Sequence, residues 1–158
     1  MNAKQNKLNQ LELLCDLFIG YSYLKLEKFE KAESIFFNVL ETAQNNGLKL
    51  VVYVAMYMSA ISKFTKGDYD IAMGIANNAT VQSEREGQTG DLLFFLFRIL
   101  MSRIFAIKEN YDSAQACLSS ALFIRNKYNI TYNSDEYEQE LNQKKAEYQE
   151  KIEKAKEA

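Results

Sequence analysis

The side chains that could do chemistry in this chain are few, and they do not form a catalytic set. The 158 residues include no histidine, so the commonest general base and the commonest metal ligand are absent. The two cysteines, Cys15 and Cys117, lack the paired spacing of a metal site or a disulfide framework. We expect both to be free, mostly buried thiols in a reducing compartment, and neither has a basic neighbourhood in sequence that would activate it.

The carboxylates and glycines also favour a structural role. Asp68 and Asp70 flank a turn, and Glu84, Glu86 and Asp91 surround a loop without the spacing of a calcium-binding loop. No glycine-rich phosphate-binding loop is present in the sequence. We therefore expect a protein that is not an enzyme, with no catalytic residue, no cofactor and no metal.

Composition limits the partners that this chain is expected to have. Nineteen basic residues stand against 21 acidic ones, a formal net charge of −2, which argues against nucleic acid and anionic membranes. Two apolar segments, Leu48–Phe64 and Leu92–Ile107, are shorter than the roughly 20 residues of a membrane span. The polar start has no apolar core of a secretory signal. We expect a cytoplasmic protein.

The spacing of apolar residues predicts seven helices and no strand. No proline interrupts them, and Asn45-Asn46-Gly47 is expected to end the second helix because Gly and Asn accept the left-handed conformation. Gly67-Asp68 is expected to turn the chain after the third helix. Asp91 is a candidate cap for the fifth helix, and Asn133 or Ser134 for the last. The helices are expected over about 7–26, 29–44, 48–66, 69–85, 92–108, 111–127 and 135–156.

One motif occurs three times along these helices. An aromatic residue starts the second helix of each pair, at positions 29, 69 and 111, and an alanine follows three residues later, at positions 32, 72 and 114. The spacing of 40 and 42 residues, with a short polar turn before each motif, is typical of a helical solenoid.

These units, over about Leu13 to Lys127, resemble the long form of the tetratricopeptide repeat. In that family a small residue of the first helix packs against a large residue or an alanine of the second, and the matching small residues are Gly20, Ala60 and Ser102. The resemblance implies an all-α, right-handed α-solenoid. Three helix pairs would occupy residues 1–133, and a polar C-terminal capping helix would follow over 134–158 in the same domain.

The resemblance also implies a binding groove, because the first helices of such pairs line a concave face. Helical spacing selects the residues that should point into that face. They are Leu14, Leu17, Tyr21, Leu24, Val54, Tyr57, Ile61, Phe64, Leu96, Ile99, Arg103 and Ile107. Almost all are apolar, as expected of a site for an apolar or amphipathic helical segment of a protein or peptide. Co-chaperones of this family hold the C-terminal carboxylate of a partner with Lys, Asn and Arg side chains in the groove. The matching positions here are Leu17, Tyr21, Met58, Leu96 and Leu100, which would leave a carboxylate without donors, so we do not expect this chain to bind one.

Several alternatives remain open at this point. The groove is covered from within by the last helix, or two chains pack groove to groove as a homodimer, or it holds a foreign partner or a small molecule. Among binding functions, a general interaction scaffold competes with a small bacterial secretion chaperone that guards an apolar client. A regulatory domain that senses a peptide is a further alternative.

Overall fold

The computed structural model describes residues 2–86 and 91–158, with only the backbone of Asp91. Within these residues every regular element is helical and no strand occurs, so the predicted all-α class is confirmed. The helices are α1 (Ala3–Lys25), α2 (Phe29–Asn45), α3 (Lys49–Lys66), α4 (Tyr69–Arg85), α5 (Asp91–Ile107), α6 (Tyr111–Tyr128) and α7 (Asp135–Glu157).

The predicted helix boundaries differ most from the structure at the start of α1. This helix begins four residues earlier than predicted because Asn2 caps it, its side-chain oxygen accepting a hydrogen bond from the backbone N–H of Gln5 at 2.8 Å. α5 begins at Asp91 itself, and the side chain of Asp91, proposed as the cap, lies outside the described residues.

The turns that join α1 to α2, α3 to α4 and α5 to α6 share one geometry. Each has a left-handed residue at the same place, Glu27 (φ 58°), Gly67 (φ 88°) or Glu109 (φ 60°). The next backbone N–H then bonds to the carbonyl five residues earlier at 2.9 Å, as from Asp68 to Lys63 in the middle turn. The turn between α2 and α3 has this geometry as well, with Gly47 at φ 65° and the Leu48 N–H bonded to the carbonyl of Ala43 at 2.9 Å, so the geometry ends helices within and between the predicted pairs alike.

The chain divides into two compact units, residues 1–93 and 94–158. In the first unit α1 packs on α2, α2 on α3 and α3 on α4, and α1 also contacts α3 directly. Its core includes Leu17, Phe36 and Val51, one from each of the first three helices.

α1 and α2 approach each other closely at Gly20. A Cβ atom added to Gly20 would lie 2.6 Å from Cε1 of the buried Phe36 ring and 3.2 Å from a methyl carbon of Ile35. The two helices come this close because position 20 has no side chain.

In the second unit α5, α6 and α7 share one core. Phe95 and Ile99 of α5 meet Leu118 of α6 and both Tyr137 and Leu141 of α7. The last helix is thus part of this unit, while the predicted division into repeats over 1–133 and a closing helix over 134–158 stays a prediction.

Candidate functional site

Four of the predicted groove residues, two on α1 and two on α3, pack against the core of the first unit. Leu14 and Tyr21 are seven residues apart on α1, and Val54 and Ile61 are seven residues apart on α3, so each pair lies on one side of its helix. All four are partly exposed and pack against the buried cluster below them. We call these four residues the α1–α3 row.

Four other predicted residues of this unit lie in different surroundings. Leu17 and Leu24 are buried, with 1% and 4% of their surface exposed, so they belong to the core and not to an accessible face. Tyr57 and Phe64 are half-buried. The ring of Phe64 meets the edge of the Tyr69 ring at 5.5 Å between centroids, which ties α3 to the start of α4.

Two neighbouring tyrosines at the end of α1 point in different directions. The ammonium group of Lys25 lies 5.2 Å from the centre of the Tyr21 ring, and that of Lys31 lies 5.6 Å from the centre of the Tyr23 ring. Lys31 belongs to α2, so Tyr23 faces α2, whereas Tyr21 lies on the same side as Leu14. The two rings have similar burial and similar cation contacts on different faces of one helix.

The predicted residues of α5 are in the second unit, whose core also includes residues of α7. Ile99 is 7% exposed within the core that contains Tyr137 and Leu141, and Leu96 packs against the same core. The guanidinium carbon of Arg103 lies 4.7 Å from the centre of the Tyr137 ring, while Ile107 is 46% exposed. Tyr137 and Leu141 of α7 therefore pack in one core with this part of α5, and whether α7 covers a binding groove stays a prediction.

A buried hydrogen-bond chain fixes α7 to α5 and α6. The Ser102 hydroxyl donates to the carbonyl oxygen of Ala114 at 2.7 Å, so its one proton is used, and it accepts from the Tyr137 hydroxyl at 2.8 Å. Burial raises the pKa of Tyr137 above its usual value. Ser102 therefore joins three helices through one oxygen atom.

Ion pairs of Glu33 and a hydrogen bond of Tyr53 join different parts of the first unit. Burial acts to raise the pKa of Glu33, but the hydrogen bonds and charges of Lys63 and Lys66, each 3.3 Å away, lower it overall. The Tyr53 hydroxyl donates to Glu86 at 2.8 Å. Burial, together with this bond and the charge of Glu86, raises the pKa of Tyr53 to about 12.

The structure corrects the prediction for one cysteine. Cys117 is buried, as predicted, but Cys15 is exposed because it lies on the face of α1 opposite Leu17 and Leu24. Burial raises the pKa of the Cys117 thiol, opposed by the charge of Arg98. This basic neighbour, 19 positions away in the chain, was missed in the sequence because only the packing of α5 on α6 brings it near.

The described residues include no group of three or more His, Cys, Asp or Glu side chains placed to hold a metal ion. In the same part of the chain, no helix has both the length and the apolar character that a membrane crossing requires. Among the carboxylates, Glu33 is paired with Lys63 and Lys66, and Glu86 accepts from Tyr53 and lies 3.7 Å from Lys49.

Comparison with known proteins gives no match: neither the protein-family models, nor the curated proteins, nor the solved structures include one similar to this chain.

Proposed function

We propose that this chain is a protein-interaction module built from three tetratricopeptide-like helix pairs stacked as a right-handed solenoid. The motif of an aromatic residue followed three positions later by an alanine supports this architecture, because it falls at the starts of α2, α4 and α6. The close contact between Gly20 and Phe36 also supports it, because the repeat requires a small residue opposite a large one in each pair.

The proposed binding site is the α1–α3 row, and its occupant is an apolar face of a helical peptide segment. The observation that carries this proposal is that Leu14, Tyr21, Val54 and Ile61 remain partly exposed on two helices in direct contact. An amphipathic helix recognises such a surface by placing apolar residues at i, i+3, i+4 and i+7 along it. Lys25 beside Tyr21 would favour an acidic residue at the edge of the peptide.

The experiment is a selection of displayed peptides of about 15 residues on the full chain, long enough for a helix to form on binding. Selected peptides are then titrated against the wild type, Tyr21→Ala and Tyr23→Ala by fluorescence anisotropy. We expect peptides with an apolar helical face, and a dissociation constant raised at least about tenfold by Tyr21→Ala, equal to about 1.4 kcal/mol.

Tyr23→Ala is the matched control, because it removes another half-buried tyrosine with a lysine over its ring from the α2 side of the same helix. The affinity of the Tyr23→Ala variant for the selected peptides should stay within a factor of about two of the wild-type value. Selection of purely polar peptides, or binding that Tyr21→Ala leaves unchanged, would contradict the proposed site.

A further inference from the structure

α1 has a second apolar face that the core of its unit does not use. Leu8, Leu11, Cys15 and Phe18 are all exposed, and the three large side chains have 49%, 58% and 65% of their surface accessible. They follow one another at spacings of three, four and three residues, which is the spacing of the apolar seam in a coiled coil. We call these four residues the α1 seam.

The α1 seam lies opposite the buried side of its helix. At 100° per residue, Cys15 at its centre is about 160° around the helix from Leu17 and about 180° from Leu24, which point into the core. The contacts of α1 with α2 and α3 are on that buried side. A second helix can therefore approach the seam without meeting α2 or α3.

The charges beside the seam are complementary to those of a second, parallel copy. If Leu8 and Leu11 occupy heptad positions a and d, Lys7 is at g and Glu12 is at the following e, and both are exposed. In a parallel pair, each g residue of one helix faces an e residue of the other helix that is five positions later in the sequence. Lys7 of each copy would therefore face Glu12 of the other copy, which gives two ion pairs per dimer. In an antiparallel pair g faces g, and these positions hold Lys7, Leu14 and Tyr21 with no acidic residue.

The size of the apolar surface also suits a dimer. The exposed parts of the seam and of the adjoining Ile19 and Leu26 amount to several hundred Å² per copy, comparable to the apolar share of a standard interface that buries about 800 Å² on each partner. Two heptads are short for an isolated coiled coil, but α1 is already held helical by its unit, so association does not have to order it.

We propose that a second copy of this chain packs its α1 seam against this one, in parallel and in register. Each seam residue then lies opposite its own copy across a two-fold axis, an arrangement in which one surface is complementary to itself. Ser22 continues the spacing at the far end of the seam, and Lys4 and Lys25, at the d positions beyond each end, limit its length. Leu14 and Tyr21 of the α1–α3 row occupy g positions beside this seam, so the dimer and a bound peptide would share one edge of α1.

The first experiment measures association of the full chain by sedimentation equilibrium. We expect a reversible dimer whose dissociation constant rises at least about tenfold in Leu11→Glu. Phe37→Glu is the matched control, since Phe37 is an exposed apolar residue on α2 with 65% of its surface accessible. A monomer at every concentration, or a dimer that Leu11→Glu leaves intact, would overturn the proposal.

The second experiment tests orientation by crosslinking. Diamide oxidises two thiols to one disulfide and takes up the two electrons and two protons. Cys15 at an a position should crosslink to its own copy, and so should the variant Leu8→Cys/Cys15→Ser. In an antiparallel pair centred on Cys15, position 8 would lie opposite Ser22, so a crosslink at 15 without one at 8 would refute the parallel register.

The charges provide an independent test of the same register. Lys7→Glu should weaken the dimer by placing two acidic residues together on each side, and the double variant Lys7→Glu/Glu12→Lys should restore it. Equal affinity of the wild type and the single variant would count against the proposed pairing.

Discussion

Gly20 is the residue on which the pairing of α1 with α2 depends most directly. Glycine inside a helix usually costs stability, and replacing it with alanine would normally gain about 0.5–1 kcal/mol. At position 20 the new Cβ would be 2.6 Å from the ring of Phe36, which is buried, so the ring or the helices must shift. We expect the cost of this shift to outweigh the gain in helix propensity.

The prediction for this site uses two glycines in helices. Gly20→Ala should lower the free energy of unfolding by about 1–3 kcal/mol because it overpacks the α1–α2 contact. Gly74→Ala in α4, where a Cβ would meet nothing within 4 Å, should raise it by about 0.5–1 kcal/mol. Urea denaturation measures both free energies of unfolding. If Gly20→Ala were as stable as Gly74→Ala, α1 and α2 could accept the extra methyl group at little cost, and the prediction would be wrong.

At the scale of elements, α7 is far more polar than the other helices, but like them it contributes buried side chains to the core of its unit. Glutamate, lysine and glutamine dominate its sequence, yet Tyr137 and Leu141 are buried against α5 and α6. A thin apolar stripe is sufficient because only one side of α7 meets the unit. The remainder of the helix supplies a charged surface, including the ion pair between Lys144 and Glu140 at 2.7 Å.

Two truncations separate the buried and the exposed parts of α7. A chain ending at Asn133 loses Tyr137 and Leu141, uncovers Phe95 and Ile99, and should lose about 3 kcal/mol or more of stability and bind an apolar dye. A chain ending at Gln149 loses only residues 150–158, which are all exposed, and should behave as the full chain does. Similar dye binding by both truncated chains would mean that α7 does not cover this core.

At the scale of the whole molecule, each unit contains a buried tyrosine with a raised pKa, Tyr53 in the first and Tyr137 in the second. An unfolded tyrosine loses its proton near pH 10. Between pH 10 and the folded pKa, the folded chain retains protons that the unfolded chain has lost. The stabilisation is therefore complete below pH 10 and decreases as the pH rises.

The prediction is a loss of stability in alkaline solution that Tyr53 partly controls. The unfolding free energy should fall between pH 10 and about 12, with Tyr53 contributing up to about 1.4 kcal/mol per pH unit. Tyr53→Phe should reduce this slope, whereas Tyr128→Phe, which removes an exposed hydroxyl group, should not. Urea denaturation at several pH values measures the slopes, and equal slopes in wild type and Tyr53→Phe would contradict the assignment.

Sequence alone determined the helices of this protein. Their ends follow from local signals, such as the left-handed conformation at Gly47 and Gly67, which depends only on the backbone of those residues. The three-fold recurrence of an aromatic residue and an alanine was also readable in the sequence, and it falls at the starts of α2, α4 and α6.

Tertiary structure alone decided which apolar surfaces are covered. α1 is apolar on two sides, so helical spacing could not determine that Leu17 and Leu24 are buried while Leu8 and Leu11 are exposed. The bond of Ser102 to Tyr137 joins residues 35 positions apart, and no pattern in the sequence relates them. Helix ends depend on neighbouring residues, whereas burial depends on which distant helices meet, and that is set by the packing of whole faces.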